Sequence, residues 1–286
     1  MKTKFIFSVI TLTSFITLLS CIQKQISSSP IGYNFAKPVK YNVPAQLSEI
    51  SGIAFNKGKS NIIYAEDDEN GRVYFFREGD KNVKFTEFKE TGDFEDIAIC
   101  NNQVIMLQSK GVLFTIPLTE IGKPVTEKAH KNKDLLPDGE YEGMYADENT
   151  SEVYVLCKHC TTDKTSKESS GFIFKLASDG TLKQSGDFKI NVKHIEGLLG
   201  VDKISFHPSA LARSPLSNDW YILSSVNKIL VVADAKWKIR EVYKLDQNLF
   251  TQPEGMAFDS ANNLYISNEG HAPQPGNILK FMYKKQ

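Results

Sequence analysis

Carboxylates recur in this chain at spacings that suggest one shared site. Glu95, Glu142 and Glu254 each open a short pattern of a polar residue, a small or short one, an aliphatic one and usually alanine: Glu95-Asp96-Ile97-Ala98, Glu142-Gly143-Met144-Tyr145 and Glu254-Gly255-Met256-Ala257. Ser51-Gly52-Ile53-Ala54 and Ser209-Ala210-Leu211-Ala212 repeat it with serine in place of the acid. Three glutamates brought to one place would repel, so either their pKa values rise or a cation sits among them. Oxygen ligands without histidine favour a hard ion, calcium before magnesium. The bland reading is turn chemistry, with glycine permitting an unusual backbone angle at a strand start.

The elements that must carry these residues follow from the spacing. The five patterns lie 44, 47, 67 and 45 residues apart, and three of the four intervals match the period of about 40–50 residues of propeller blades. About ten residues after each pattern comes a β-branched or aromatic run, such as Val153-Tyr154-Val155-Leu156 or Leu264-Tyr265-Ile266, and a third run follows it. These runs are bounded by Asn, Asp, Ser and Gly and are too short for helices. A fourth strand is legible at 85–88, 184–190 and 241–245, while the last copy ends after its third. Pro38 to Val43 can supply the missing strand and remove an open sheet edge. The expected fold is all-β, a five-bladed β-propeller of four-stranded antiparallel blades, with six blades as the alternative. The long interval holds a loop at 158–170 and an extra connection near 193–203.

In a propeller the first strand of each blade lines the channel and the second runs back beside it. Starts of first strands and ends of second strands therefore share one face. The starts bring Ser51, Glu95, Glu142, Ser209 and Glu254, with Glu49 just upstream, and the ends bring Asp68, Ser109, Lys158, Ser225 and Glu269. Asp67, Gln108, Ser224 and Asn268 precede those ends. The expectation is a metal at Glu95, Glu142, Glu254 and Glu269, calcium if any, and a small ligand at Glu49, Ser51, Asp67, Asp68, Lys158, Ser209, Ser225 and Asn268. Lys158 would pair with the acids or hold an anionic group beside the metal.

Other chemistries find little support. The 34 basic and 34 acidic residues give no positive field for nucleic acid. The five histidines show no HxxxH or HxH spacing, and neither a Gly-x-Ser-x-Gly elbow nor a phosphate-cradling glycine loop occurs. Cys157 and Cys160 could close a local disulfide, bind zinc if a second ligand pair existed, or remain inert thiols. Cys100 ends an apolar run and reads as a buried small residue.

The N-terminus reads as an export signal. A basic start, Lys2 and Lys4, precedes the apolar run 5–19 and then Ser20-Cys21. That run is short for a span, which needs roughly 20 apolar residues. Leu18-Leu19-Ser20-Cys21 resembles the bacterial lipobox, which implies lipidation at Cys21. Residues 1–20 are then a lipoprotein signal peptide, 21–31 the lipidated cysteine with a flexible tether, and 32–286 one propeller domain. The expected setting is the cell envelope, with the outer membrane or cell surface favoured, the protein monomeric and bound to the membrane through its lipid.

The ordered set from Leu47-Ser48-Glu49-Ile50-Ser51-Gly52 through Asp93-Phe94-Glu95-Asp96 and Pro208-Ser209-Ala210 to Gln252-Pro253-Glu254-Gly255-Met256-Ala257, closed by Ser267-Asn268-Glu269-Gly270, resembles the SdiA-regulated family. The resemblance implies an envelope-associated β-propeller, with calcium linked to some members and no secure activity. A binding module for a small ligand is the leading expectation. A calcium-dependent, phytase-like phosphoesterase and an envelope scaffold that binds another protein are the alternatives.

Overall fold

The computed structural model describes residues 29–163 and 167–285. The predicted signal, Cys21 and most of the tether lie outside the described residues. The first strand, β1 (Val39–Asn42), belongs to the last blade, described below. Blade one is β2 (Ile50–Asn56), β3 (Lys59–Asp67), β4 (Asn70–Phe76) and β5 (Lys84–Thr91). Blade two is β6 (Phe94–Cys100), β7 (Gln103–Gln108), β8 (Leu113–Pro117) and β9 (His130–Asn132). Blade three is β10 (Gly139–Asp147), β11 (Glu152–Cys160), β12 (Glu168–Leu176) and β13 (Leu182–Asn191). After helix α1 (Val192–Leu199) comes blade four: β14 (Ala210–Arg213), β15 (Trp220–Ser224), β16 (Ile229–Ala233) and β17 (Ile239–Lys244). Blade five holds β18 (Pro253–Phe258), β19 (Leu264–Asn268) and β20 (Asn277–Phe281), and β1 completes it by pairing antiparallel with β20, Val39 against Lys280.

There are five blades, each a four-stranded antiparallel sheet in sequential order apart from the swapped-in β1. The six-blade alternative falls because long strands in blade three and α1 fill the 67-residue interval. The extra connection near residue 193 contains a helix. Asn191 caps it by accepting the His194 N–H, and Val192 and Ile195 bury against blades three and four.

Strand periodicity explains how the ring holds together. Successive side chains point to opposite faces of a sheet, so Ile53 and Phe55 pack toward blade five while Ala54 packs toward blade two. The same alternation gives five apolar clusters, one at every interface between neighbouring blades, with Tyr33 and Phe35 joining the one between blades four and five. The first strands β2, β6, β10, β14 and β18 contact one another in that order and back to β2, which defines the central channel.

Candidate functional site

The repeated acids project from β-bulges. Glu95 stands between the paired residues Phe94 and Asp96, Glu142 between Tyr141 and Gly143, and Glu254 between Pro253 and Gly255, and none of the three has a cross-strand partner in the register. Ser51 and Gly52 form the equivalent break in β2. A bulge leaves its extra residue free of the ladder and re-aims the side chain. This corrects the turn reading of the motif glycines: Gly52, Gly143 and Gly255 do not have the left-handed backbone. They are glycine because neighbouring first strands touch there. A Cβ on Gly52 would lie 2.4 Å from Asp96 Oδ1 and 2.7 Å from Asp96 Cα, and one on Gly255 would lie 2.3 Å from the Ser51 carbonyl oxygen.

Glu142 interacts through space with Glu95 and with Glu254, and Lys158 interacts with all three. Burial pushes the Glu95 carboxyl up to about 9, helped by the charges of Glu142 and Asp93 and opposed by Lys158 and the Ser109 hydroxyl. Burial likewise raises Glu142 to about 7, against its hydrogen bond from Lys158. Glu254 rises to about 7 through burial and Glu142, while a hydrogen bond from Ser225 works the other way. Burial disfavours the Lys158 charge, but Glu142, Glu95 and Glu254 outweigh it and raise its pKa. Lys158 forms an ion pair with Glu142. The disulfide between Cys157 and Cys160, both buried, spans the residues that flank it on β11. Cys157 is thereby paired, and Cys100 is a buried free cysteine.

A second acidic group adjoins the first. Asp68 rises to about 6 through burial and the charges of Glu49 and Glu269, and its Oδ1 is buried without a hydrogen-bond partner among the described residues. Glu269 is raised by burial and accepts a hydrogen bond from the Gln252 side chain.

Three of the expected ligand residues, Asp67, Ser209 and Asn268, have side chains bonded to the framework, and Ser51 is bonded through its backbone. Asp67 accepts from the Asn70 N–H at 2.8 Å and the Tyr74 hydroxyl at 2.6 Å, which fixes the turn between β3 and β4. Ser209 donates to the Pro253 carbonyl and accepts from the Ser225 N–H, so it latches blade four to blade five. The Ser51 carbonyl accepts from the Ser267 hydroxyl. Asn268 is fully buried and donates to Asn277. The four predicted metal ligands do not form a closed shell either. No three of Glu95, Glu142, Glu254 and Glu269 bring oxygens within 4.8 Å of one another, and Lys158 forms an ion pair with Glu142. The one set of three candidate ligands at that spacing among the described residues is Cys157, Cys160 and Asp163, whose two sulfurs are bonded to each other.

Sequence reasoning missed three charged groups here. Glu66 and Asp96 are buried carboxyls beneath the mouth, both raised well above the usual range by burial. Glu66 accepts the Gly52 N–H at 2.6 Å, and its Oε2 has no partner among the described residues. Asp96 accepts the N–H groups of Ile97 and Met144. Glu66 directly precedes the Asp67-Asp68 pair, and that adjacency was the available signal. The third is Lys228, which lies near Glu254 and donates to the Thr251 carbonyl.

The other end of the channel is open. A cavity of about 420 Å³ is lined by the far halves of all five first strands, on the side away from the glutamates. The alanines of the repeat, Ala54, Ala98, Ala212 and Ala257, line it, with Tyr145 at the equivalent place in blade three.

A model of the SdiA-regulated family matches residues 182–273, from β13 through the end of blade five's second strand. No curated protein matches the chain by sequence. Among solved structures, the chain is similar to Myxococcus xanthus glutaminyl cyclase, at a TM-score of 0.54 and 12% identity over 86% of this chain and 96% of that one. It is also similar to regucalcin from Agrobacterium tumefaciens, described as a calcium-binding protein, at 0.50 and 10% over 90% and 96%. A luciferin-regenerating enzyme gives 0.50 and 8% over 86% and 95%. At such identities these likenesses show the propeller fold and nothing finer.

Proposed function

We propose that this protein is a binding module of the cell envelope, anchored through a lipid on Cys21, whose acidic mouth takes a cation and with it a small ligand. The observation that carries the reading is the imbalance at the mouth: Glu95, Glu142 and Glu254 share the ammonium of Lys158, and burial raises all three carboxyls. The donors are carboxylate and hydroxyl oxygens, the chemistry that a hard ion prefers, so calcium fits the set. Glu95, Glu142 and Glu254 would hold it, with Glu269 beside them, in competition with Lys158. The similarity to regucalcin makes calcium the first ion to test. A bound ion would relieve the repulsion and offer open positions to oxygen atoms of a ligand.

Phosphoester hydrolysis is the weaker reading. Lys158 is tied to Glu142 and Lys228 to a backbone carbonyl, which leaves little positive charge for a phosphate. The lipid anchor rests on the Leu18-Leu19-Ser20-Cys21 sequence. The deciding experiment is a thermal melt of the soluble domain titrated with calcium, with chelator as the control. Binding to the folded state raises Tm as concentration passes Kd, and Glu95→Gln and Glu254→Gln should blunt the rise. An identical melt in calcium and in chelator refutes the metal site.

A further inference from the structure

The cavity at the opposite end of the channel has the composition of a binding site, and the reading of the acidic mouth does not use it. Alanines line it from four blades with Met144 and Met256 beside them, and charged residues, Lys57, Asp147, Glu148, Arg213 and Asp259, line it as well. Its volume, about 420 Å³, lies within the range of small-molecule pockets, which combine apolar walls with a few placed polar groups. None of Glu95, Glu142 and Glu254 lines it.

The hydrogen bonds at its rim decide the charge of the occupant. The rim carries three carboxylates, and all three are already engaged. Asp147 accepts from the N–H groups of Asn149 and Thr150 and from Arg213. Glu148 accepts from the Asn101 N–H and pairs with Lys57 at 3.3 Å. Asp259 accepts from Ala261, Asn263 and Ser60. The cations keep spare donors. Arg213 uses Nε on the Asn218 carbonyl and Nη1 on Asp147, which leaves the rest of its five-donor fork unpaired among the described residues. Lys57 is half exposed, with its ammonium loosely paired to Glu148. The spare charged donors at this rim are therefore those of Arg213 and Lys57. The geometry points to a second binding site, for a small anionic amphiphile whose apolar body fills the alanine-lined cavity and whose carboxylate meets Arg213.

The chain carries its own reporter for this site. It has two tryptophans, Trp220 and Trp237, stacked with ring centres 4.2 Å apart. The Arg213 guanidinium lies over the Trp220 ring at 5.1 Å, and Tyr145 meets Trp220 edge-on at 5.3 Å. Octanoate titrated into the soluble domain should change tryptophan fluorescence saturably and raise Tm, with octanamide at least tenfold weaker and octylamine inactive. Arg213→Gln should bring octanoate down to the octanamide level, because only the charge-assisted bond is lost. Ala98→Phe, which fills the cavity, should abolish both. The response should persist in Glu95→Gln and in chelator, which separates this site from the mouth. No saturable response to octanoate, or equal binding of octanoate and octanamide by the unmodified protein, overturns the proposal without recourse to any variant.

Discussion

The Asp96 carboxylate accepts the backbone N–H of Met144 at 2.6 Å, so one side chain stitches blade two to blade three directly beneath the acidic mouth. It also accepts its neighbour's Ile97 N–H, and Gly52 of blade one packs against it. Removing the carboxylate leaves a buried donor without a partner, which costs about 1–3 kcal/mol. Asp96→Ala should lower Tm, at about 2–4 °C per kcal/mol for a domain of this size. Asp96→Asn should lose less, since an amide oxygen can still accept. Melting curves for both variants that overlay the parent would show the stitch to be unimportant.

The same packing makes a directional prediction for glycine. Gly52→Ala would drive a methyl into Asp96 and should destabilise by about 1–3 kcal/mol. Gly197 lies in α1 with nothing within 4 Å of an added Cβ, so Gly197→Ala should be neutral or stabilise by up to about 1 kcal/mol. Denaturant unfolding of the pair checks the sign of each.

Stability should fall as pH rises. Glu95, Glu142 and Glu254 have folded pKa values of about 9, 7 and 7, all above the ordinary glutamate value. Between those limits the folded state binds more protons than the unfolded one, so the contribution is full below the unfolded pKa and lost as pH climbs through the folded values. In chelator, Tm should therefore drop from pH 5 to pH 9 by more in the parent than in Glu95→Gln, with the gap widest near pH 9. Parallel profiles would contradict the crowding of these acids.

Calcium should act in the opposite sense, because it needs the carboxylates ionised. Its stabilisation should grow from pH 5.5 to pH 8.5. Lys158→Met, which removes the competing ammonium, should lower the calcium Kd at least about tenfold, as a close opposite charge is relieved. Calorimetric titration of the parent and the variant at both pH values gives the comparison, and a weaker calcium affinity in Lys158→Met would count against competition for Glu142.

Much of the architecture was legible because propeller strands obey local rules. Two-residue alternation and polar boundaries marked three strands in every blade, and the missing outer strand of the last copy pointed to Pro38 to Val43, where β1 lies. Short or polar elements escaped. The strand His130–Asn132 has three residues and no apolar run, and α1 buries only Val192, Ile195 and Glu196 of its eight. At the mouth, counting along strands brought Glu95, Glu142, Glu254 and Lys158 together, but it could not tell a free side chain from one already bonded. Asp67, Ser209 and Asn268 looked the same in sequence as Glu254 and are held by the frame. Glu66 and Asp96 were missed because burial of a carboxyl leaves no trace in a strand pattern. The alanines were read as part of a repeat, and that their small size leaves room at the channel's other end emerges only when five blades stand in a circle.

The pairing of β1 with β20 sets an order of events during biosynthesis. Residues 39–42 are made long before their hydrogen-bonding partners at 277–280. The circle cannot shut until residues 277–280 have been made, and contacts of such long sequence separation form slowly. Ring closure in this fold therefore waits on the pairing of two strands that lie far apart in the chain.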